Sequence, residues 1–205
     1  MRDAVYKKTK EAYNRLGRKY LIDTKNLFPR ERLPFARSFL KGAHILDVGC
    51  GGGRDAGFFT KKGLQITGID VSDVLIKEAR KEVPGAKFIC ADTLEATFPN
   101  NTFDGIWAQA VLLHLKRRDA QRAIKKFHKI LKPGGLLHIR VKKGRGEELL
   151  SEKLSGWSPR FYTYFSKKEM ERMVKKQGFR IEFSKILPDE LKRMHTTWIA
   201  IWARK

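Results

Sequence analysis

A run of glycines directly after a short apolar strand is the feature that most restricts the fold of this chain. Residues 45–48 read Ile-Leu-Asp-Val, and glycine occupies four of the five positions from Gly49 to Gly53. Glycine lets a backbone turn sharply and approach a bound molecule closely, and the amides that open the next helix point towards that molecule. The pattern predicts an α/β domain in which this loop faces a ligand.

Strands and helices alternate after the loop. The hydrophobic pattern predicts strands at 44–48, 65–69, 86–91, 103–108 and 136–141, and helices at 55–62, 73–82 and 119–131. Strands that alternate with helices indicate a parallel sheet. A helix at 166–177 begins with a capping box of Ser166 and Glu169, and strands at 179–187 and 197–203 are joined by so short a link that we expect an antiparallel pair. The prediction is a mostly parallel seven-stranded sheet with an antiparallel edge pair.

Two segments lie outside this alternation. The hydrophobic pattern of residues 1–41 predicts a cap of two helices, at 3–19 and 30–40, with a loop at 23–29. Residues 142–165 are rich in glycine, serine and charge and are too long for an ordinary connection, so we expect them to be mobile or to shape a substrate pocket. A chain of 205 residues without internal repeats fits one domain.

Composition restricts the location and the chemistry. No apolar run approaches the roughly 18 residues of a membrane span, and the charged start carries no export signal, so we expect a soluble, cytoplasmic protein with no membrane partner. Cys50 and Cys90 lack the spacing of zinc ligands. We therefore expect two reduced packing residues and no metal site.

The charge balance is strongly basic. There are 44 Lys and Arg against 22 Asp and Glu, a net charge of +22 and an isoelectric point near 10.2. Such a field favours polyanions such as nucleic acid. The lysine pairs are dispersed along the chain, however, as on ordinary solvated helix faces, so both interpretations stay open.

The spacing of the glycines separates two kinds of cofactor loop. A dinucleotide fingerprint requires Gly-x-Gly-x-x-Gly, but its third glycine position holds Arg54. The glycines instead run Gly49-x-Gly51-x-Gly53, with Asp47 inside the strand end. This pattern resembles the first motif of class I S-adenosylmethionine-dependent methyltransferases.

The resemblance continues along the chain. Asp70 ends the second strand roughly 20 residues after the loop, where a carboxylate can accept hydrogen bonds from both ribose hydroxyls. Asp92 matches the family position that binds the adenine amino group, although aspartate also favours turn caps. Residues 103–115 and 131–137 resemble the family's fourth-strand motif and fifth-strand entry.

The resemblance implies a Rossmann-like three-layer sandwich that binds S-adenosylmethionine and transfers its methyl group by in-line displacement. The implied cofactor-binding residues are Asp47, Gly49, Cys50, Gly51, Gly53, Asp70, Val71, Asp92, Thr93, Ala108 and Gln109.

The acceptor side has no comparable motif. A sulfonium is already activated, so the enzyme needs to align the acceptor, exclude water and remove a proton only where the acceptor requires it. We expect the amino-terminal helices, with Tyr13 and Tyr20, and the aromatic run at 157–165 to face the acceptor. The arginine in that run fits a pocket for a planar or anionic acceptor, but the run also fits an amphipathic strand that covers the core. The catalytic candidates are His114, Tyr20, Arg160 and Tyr162.

His114 also fits a structural histidine. The leading function is a methyltransferase for a small molecule, because one compact domain carries no recognisable RNA-binding appendage. The alternative is an RNA methyltransferase, which the net charge favours and which the loose similarity of residues 198–205 to transfer RNA wobble-uridine methyltransferases supports. A third hypothesis is a non-catalytic cofactor-binding subunit, against which Asp47, Asp70 and Asp92 argue.

Overall fold

The computed structural model describes residues 4–151, 156–190 and 196–205. Its helices are α1 (Ala4–Thr24), α2 (Arg32–Arg37), α3 (Arg54–Lys61), α4 (Asp73–Glu82), α5 (Arg117–Ile130) and α6 (Lys167–Lys176), with a 3-10 turn at Leu112–His114. Its strands are β1 (His44–Val48), β2 (Gln65–Asp70), β3 (Lys87–Cys90), β4 (Phe103–Gln109), β5 (Leu131–Lys142), β6 (Glu147–Ser151), β7 (Pro159–Thr163), β8 (Arg180–Pro188) and β9 (Thr197–Arg204). None of the described helices is long and apolar enough to cross a membrane.

Seven strands form one twisted sheet in the order β3-β2-β1-β4-β5-β9-β8. Strands β1 to β5 are parallel, and β9 runs antiparallel to both β5 and β8. The mostly parallel seven-stranded sheet with an antiparallel edge pair is therefore confirmed.

Helices cover both faces of this sheet. The side chains of α5 and α6 join one core cluster, whereas those of α2, α3 and α4 join the other. Successive residues of a strand point to opposite faces, and in β1 Ile45 packs into the second cluster while Leu46 packs into the first. The result is the expected three-layer sandwich.

Local caps start two helices where the sequence predicts them. The Ser166 hydroxyl accepts a hydrogen bond from the Glu169 amide at 3.2 Å, and the Glu169 carboxylate accepts one from the Ser166 amide at 3.3 Å. The Ser72 hydroxyl caps α4 by accepting from the Leu75 amide. Each cap satisfies amides that the helix itself leaves unpaired.

The amino-terminal helices differ from the prediction. Helix α1 continues to Thr24, through part of the expected loop, and α2 is shorter than expected. Gly17 lies inside α1 with φ 46° and ψ −128°, a conformation that glycine adopts without a Cβ penalty. The helical prediction at 3–19 therefore ended too early, because the chain turns at Gly17 and then resumes its helix.

The segment at 142–165 contains regular structure. Strands β6 and β7 pair antiparallel outside the main sheet, and residues 152–155 lie outside the described part. The Phe161 amide donates to the Thr9 hydroxyl at 2.9 Å, which joins β7 to α1. The aromatic run therefore contains a strand, and two residues of that strand, Arg160 and Tyr162, also line a pocket.

The fifth strand also begins earlier than predicted. Leu131 pairs with Phe103, and after a register shift Leu136 pairs with Gly105. The turn at 132–135 is therefore an irregularity within β5 and not the gap between a helix and a strand. Sheet pairing on both sides of the turn decides this assignment, and no local pattern reports it.

Candidate functional site

A pocket lies at the carboxyl ends of the parallel strands and is covered by α1. Ligands of open α/β sheets bind at this edge. The pocket is lined by most of the residues that the motifs select: Asp47, Gly49, Cys50, Gly51, Asp70, Val71, Asp92, Thr93 and Gln109. Gly53 instead precedes α3, and Ala108 is fully buried in the core. The four catalytic candidates, His114, Tyr20, Arg160 and Tyr162, line the same pocket.

The glycine loop has a backbone that few other residues tolerate. Gly49 and Gly51 have φ values of 69° and 53°. A Cβ added to Gly49 would lie 2.8 Å from the Val111 side chain, whereas one added to Gly51 would meet nothing within 4 Å. Both positions need glycine for conformation, and Gly49 also needs it for space.

Asp70 holds the loop in this shape. Its Oδ2 accepts from the Gly51 amide at 2.9 Å, and its Oδ1 accepts from the Ser72 amide at 2.9 Å. Burial raises the pKa of this carboxyl, while the amide hydrogen bonds oppose the increase. Each carboxylate oxygen can accept a further hydrogen bond, so Asp70 can position the loop and bind ligand hydroxyls together.

Asp47 is the most enclosed carboxyl group of the loop region. Its side chain is 2% exposed, and its Oδ2 has no hydrogen-bond partner among the described residues. Burial raises the pKa of Asp47 well above its usual range, and the neighbouring charge of Asp55 adds to the effect. A buried acceptor without a protein partner requires an explanation, and in a pocket wall a ligand donor supplies one.

Asp92 performs the turn role that aspartate often has. Its Oδ1 accepts from the Leu94 amide at 2.6 Å, immediately after β3. The side chain is buried and also lines the pocket beside Thr93. The turn cap and the pocket wall are therefore compatible at this residue.

Arg54, which replaces the third dinucleotide glycine, ties the loop to the amino-terminal cap. It donates to both carboxylate oxygens of Asp55, at 3.1 and 3.2 Å, and to the Thr24 carbonyl at 3.1 Å. Asp55 also accepts from Arg32 at 3.2 Å and from the Trp107 indole at 3.1 Å. No motif in the sequence points to Asp55, because two of its three donors, Arg32 and Trp107, come from distant parts of the chain.

A hydrogen-bonded chain crosses the other wall of the pocket. Arg160 Nη1 donates to the Tyr13 hydroxyl at 2.9 Å, and Tyr13 Oη lies 2.8 Å from His114 Nε2. His114 Nδ1 lies 2.7 Å from the Phe161 carbonyl. A carbonyl only accepts, so we assign the imidazole proton to Nδ1, and Nε2 then accepts the Tyr13 proton.

Burial determines the protonation of this chain. It lowers the pKa of His114 to about 3, with Arg160 contributing in the same direction. It raises the pKa of Tyr13 well above its usual range, which the charge of Arg160 partly opposes. At neutral pH the histidine is uncharged and the tyrosine is protonated. The structure is compatible with both interpretations of His114. The residue lines the pocket, as a catalytic group would, and both of its ring nitrogens have hydrogen-bond partners, as in a structural histidine.

Aromatic rings surround the cations of this wall. The Arg160 guanidinium lies 5.2 Å from the centre of the Tyr13 ring and 5.5 Å from that of Tyr162. The Lys142 ammonium lies 4.0 Å from the centre of the Tyr162 ring. The Tyr20 ring packs edge-on against Tyr13 at 5.3 Å. These contacts are in the range of cation–π and edge-to-face attraction.

Strand β5 contributes polar residues that no motif in the sequence selects. His138, Arg140 and Lys142 alternate with apolar residues and are all buried. Arg140 pairs with Glu31 at 3.4 Å and with Glu190 at 2.6 Å. Polar side chains at every second position of an otherwise apolar strand were the available signal, because such residues share one face.

The two cysteines differ. Cys50 is buried beside the glycine loop, as expected of a packing residue, and burial raises the pKa of its thiol well above its usual range. Cys90 is exposed, so the packing prediction is wrong for it. Cys90 is the last residue of β3, the edge strand, where fewer neighbours cover it.

Comparison with protein families identifies the same region. Residues 46–139 match the family model described as a methyltransferase domain. The ubiquinone biosynthesis O-methyltransferase of Coxiella burnetii is 38% identical over 102 residues, which are 48% of this chain and 43% of the relative. The chain thus spans less than half the length of this relative.

Solved structures extend the similarity beyond that region. An S-adenosylmethionine-dependent methyltransferase from Methanosarcina mazei superposes with a TM-score of 0.75 at 21% identity, over 87% of this chain and 98% of that one. The 1,6-didemethyltoxoflavin-N1-methyltransferase of Burkholderia thailandensis, solved with 1,6-didemethyltoxoflavin and S-adenosylhomocysteine, has a TM-score of 0.78 at 20% identity, over 100% and 92%. At these identities the likeness establishes the fold.

Proposed function

We propose that the protein is an S-adenosylmethionine-dependent methyltransferase for a small-molecule acceptor, because residues 46–139 match the model of a methyltransferase domain and solved methyltransferases share the fold. We further propose that residues 1–205 act as one domain, with 1–41 as a helical cap and 142–165 as a substrate-side insert. A cytoplasmic location remains a prediction, which cell fractionation tests.

One observation carries the proposal: a single pocket joins the glycine loop and its carboxylates to a wall of polar aromatic groups. On the loop side, Asp47 offers a buried oxygen acceptor, and the glycine at position 49 leaves no room for a side chain. These features fit the ammonium and ribose groups of S-adenosylmethionine, which would be held by Asp47 and Asp70. When bound, the cofactor supplies a methyl group on a sulfonium.

The protein's own contribution is mainly alignment. His114 Nε2 already accepts from Tyr13, and the pKa of His114 is about 3. Moving a proton to such a group from an acceptor whose pKa is near 7 costs about 5 kcal/mol. His114 is therefore a weak general base, and its hydrogen bonds position Tyr13 in the pocket. Orientation of the acceptor and exclusion of water are the effects that this wall supplies.

The direct test is incubation of the protein and a cell extract with isotopically labelled S-adenosylmethionine, followed by mass spectrometry. We expect a labelled small molecule that is absent without the protein. Calorimetry with S-adenosylhomocysteine comes first, and we expect saturable binding at one site. A protein that binds neither form of the cofactor would contradict the proposal, and binding without any labelled product would favour the non-catalytic subunit.

Helices α5 and α6 favour RNA as the second candidate acceptor. The two helices contact each other, and their exposed side chains include Arg122, Lys125, Lys129, Lys168, Arg172, Lys175 and Lys176. Phosphate contacts release counterions, so affinity for transfer RNA should fall steeply as salt rises. A gel-shift assay without binding at low salt would remove this candidate.

A further inference from the structure

We propose that His138 and Trp202 are positioning residues, which hold the side-chain amide of Gln109 so that its NH2 group donates a hydrogen bond to the carboxylate of S-adenosylmethionine. The inference rests on the proposed function, because it concerns the amino-acid end of the cofactor in the same pocket. Neither His138 nor Trp202 is among the described residues that line the pocket, so both act through Gln109.

The first observation is a chain of hydrogen bonds that runs from the core to the pocket. The Trp202 indole donates to His138 Nδ1 at 2.9 Å, and His138 Nε2 lies 2.9 Å from Gln109 Oε1. The Trp107 ring stacks on the imidazole, with 3.8 Å between the ring centres and 16° between the planes. His138 is completely buried, whereas Gln109 is half-buried and lines the pocket. One end of the amide therefore faces the core, and the other can face a ligand.

The second observation is that this chain permits a single placement of the protons. An indole nitrogen only donates, so His138 Nδ1 accepts and carries no proton. Burial lowers the pKa of His138 well below its usual range, and the charge of Arg140 contributes in the same direction, so the imidazole is neutral at neutral pH. Its proton is then on Nε2, which donates to Gln109. Only the amide oxygen can accept this proton, so the NH2 group of Gln109 is directed away from His138.

The third observation is that this NH2 group has no acceptor in the part of the chain that the structure describes. The side chain of Gln109 makes its hydrogen bond there with His138, through the oxygen. An amide NH2 group offers two donors. Polar groups that are at least partly buried are normally paired, and at a pocket wall a ligand oxygen can supply the missing acceptor.

The fourth observation is the position of Gln109 relative to Asp47. Asp47 of β1 is directly opposite Trp107 of β4, and Gln109 follows Trp107 by two positions. Alternate residues of a strand point to the same face of the sheet. Gln109 therefore lies on the same face as Asp47 and nearer the carboxyl edge. The proposed function assigns the ammonium group of the cofactor to Asp47, and the carboxylate is bonded to the same carbon atom as that ammonium, so a donor beside Asp47 meets the carboxylate.

The experiment compares two ligands that differ in one group, S-adenosylhomocysteine and its decarboxylated form. Calorimetry gives the ratio of the two affinities for the parent protein and for each variant. We expect the preference for S-adenosylhomocysteine to decrease at least fivefold in Gln109→Leu. We expect at least the same decrease in Gln109→Glu, which keeps the oxygen that faces His138 but replaces the donor. Trp202→Phe allows the His138 proton to move and the amide to turn, so we expect a decrease of at least twofold.

NMR of protein that contains isotopically labelled histidine tests the positioning role directly. The chemical shifts of the two ring nitrogens report which of them carries the proton. We expect the His138 proton on Nε2 in the parent protein and in Gln109→Leu, and a detectable fraction of it on Nδ1 in Trp202→Phe. If Trp202 contributed packing alone, its replacement by phenylalanine would leave the proton in place.

Gln65→Leu is the matched control, because it makes the same substitution at an exposed position where β2 begins, at the opposite edge of the sheet. We expect it to leave the preference unchanged. The decarboxylated ligand also verifies that each variant is folded, since its affinity should stay within twofold of that for the parent protein.

An unchanged preference in Gln109→Leu, with both ligands bound, would overturn the inference and leave the proposed function intact. An equal decrease in Gln109→Leu and Gln65→Leu would also overturn it. So would a His138 proton on Nδ1 in the parent protein, which can be measured even if a variant fails to fold. Failure of the parent protein to bind S-adenosylhomocysteine would instead overturn the proposed function, and with it the inference that depends on it.

Discussion

The two walls of the pocket are built in different ways. The loop wall comes from the ends of neighbouring parallel strands, and Asp70 contacts Gly51 only 19 positions away. The opposite wall, which carries Arg160, Tyr13 and His114 and is called the acceptor wall below, joins residues that are far apart in the chain. Arg160 contacts Tyr13 across 147 positions, and Phe161 contacts Thr9 across 152. A site at consecutive strand ends leaves a motif in the sequence, whereas a site made by long-range packing does not.

The largest expected effect concerns Asp55, whose hydrogen bonds help to tie the loop wall to the amino-terminal cap. Asp55→Ala removes the carboxylate that accepts from Arg32, Arg54 and Trp107 and leaves their donors unpaired. Loss of one partner from a buried ion pair costs about 3 to 5 kcal/mol, and we expect a decrease of about 3 kcal/mol in the free energy of unfolding because Arg54 retains some solvent. Urea denaturation measures it.

The control for this prediction is Asp119→Ala, which breaks an exposed pair with Arg122 on α5. Exposed pairs contribute about 0 to 1 kcal/mol. Similar losses in the two variants would mean that Asp55 does not join the glycine loop to the amino-terminal cap as the structure indicates.

Asp70→Ala tests the loop wall. We expect cofactor binding to weaken by about 1 to 3 kcal/mol through loss of charge-assisted hydrogen bonds, while the fold is retained. Calorimetry with S-adenosylhomocysteine measures the change. Asp70→Asn is the companion variant, because it keeps an oxygen for one of the two backbone amides. Unchanged affinity in the alanine variant would show that the ribose site is elsewhere.

A pair of glycine substitutions separates conformation from space in the same loop. Gly49→Ala and Gly51→Ala both place a Cβ on a residue with positive φ, but a clash with Val111 occurs only at position 49. We expect Gly49→Ala to unfold more easily than Gly51→Ala by about 1 to 2 kcal/mol, because overpacking adds to backbone strain. Equal stabilities of the two cofactor-free variants would contradict this.

The smallest effect is a pH dependence of the acceptor wall. The pKa of His114 in the folded protein is about 3, below the ordinary value of 6.5. As pH falls below the ordinary value, the unfolded chain binds a proton that the folded chain does not, so stability is lost. Between about pH 6.5 and 5.5 we expect the free energy of unfolding to decrease by about 1 kcal/mol from this cause.

The variant His114→Asn isolates the contribution of this histidine. Free energies of unfolding are measured against pH for the variant and for the parent protein, and the difference between the two profiles is the contribution of His114. Asp70 acts with the opposite sign, since burial raises its pKa and acid relieves its unfavourable charge. A His114→Asn profile parallel to that of the parent protein would mean that the histidine titrates normally.

Whether an element can be predicted depends on how far apart in the chain the residues that define it lie. Helix α4 begins after Ser72 and helix α6 begins after Ser166, as predicted, because a capping side chain and its amides lie within three residues. The extension of α1 to Thr24 and the strand character of Leu131 were missed. Each depends on partners in another element, namely Arg54 for Thr24 and Phe103 for Leu131.

The residues of the candidate site divide in the same way, into those that local motifs select and those that only long-range contacts bring to the pocket. The glycine loop, Asp70 and Asp92 were predicted as pocket residues from motifs, whereas Arg140 and Lys142 were missed within a strand that appeared to be plain core. The pairing of Tyr13 with His114 was also unforeseen, although each residue had been singled out separately. Hydrogen bonds between distant side chains have no counterpart in local spacing.

By itself, the sequence determined the parallel sheet, the glycine loop and the charge of the loop wall, because strand periodicity, glycine conformation and capping act over a few residues. The tertiary structure decided what the loop faces. It paired Arg54 with Asp55 and paired strand β6 with strand β7. It also brought Arg160, Tyr13 and His114 into one hydrogen-bonded chain. Burial then set the charges of these groups, since a pKa depends on the surroundings that only the folded chain provides.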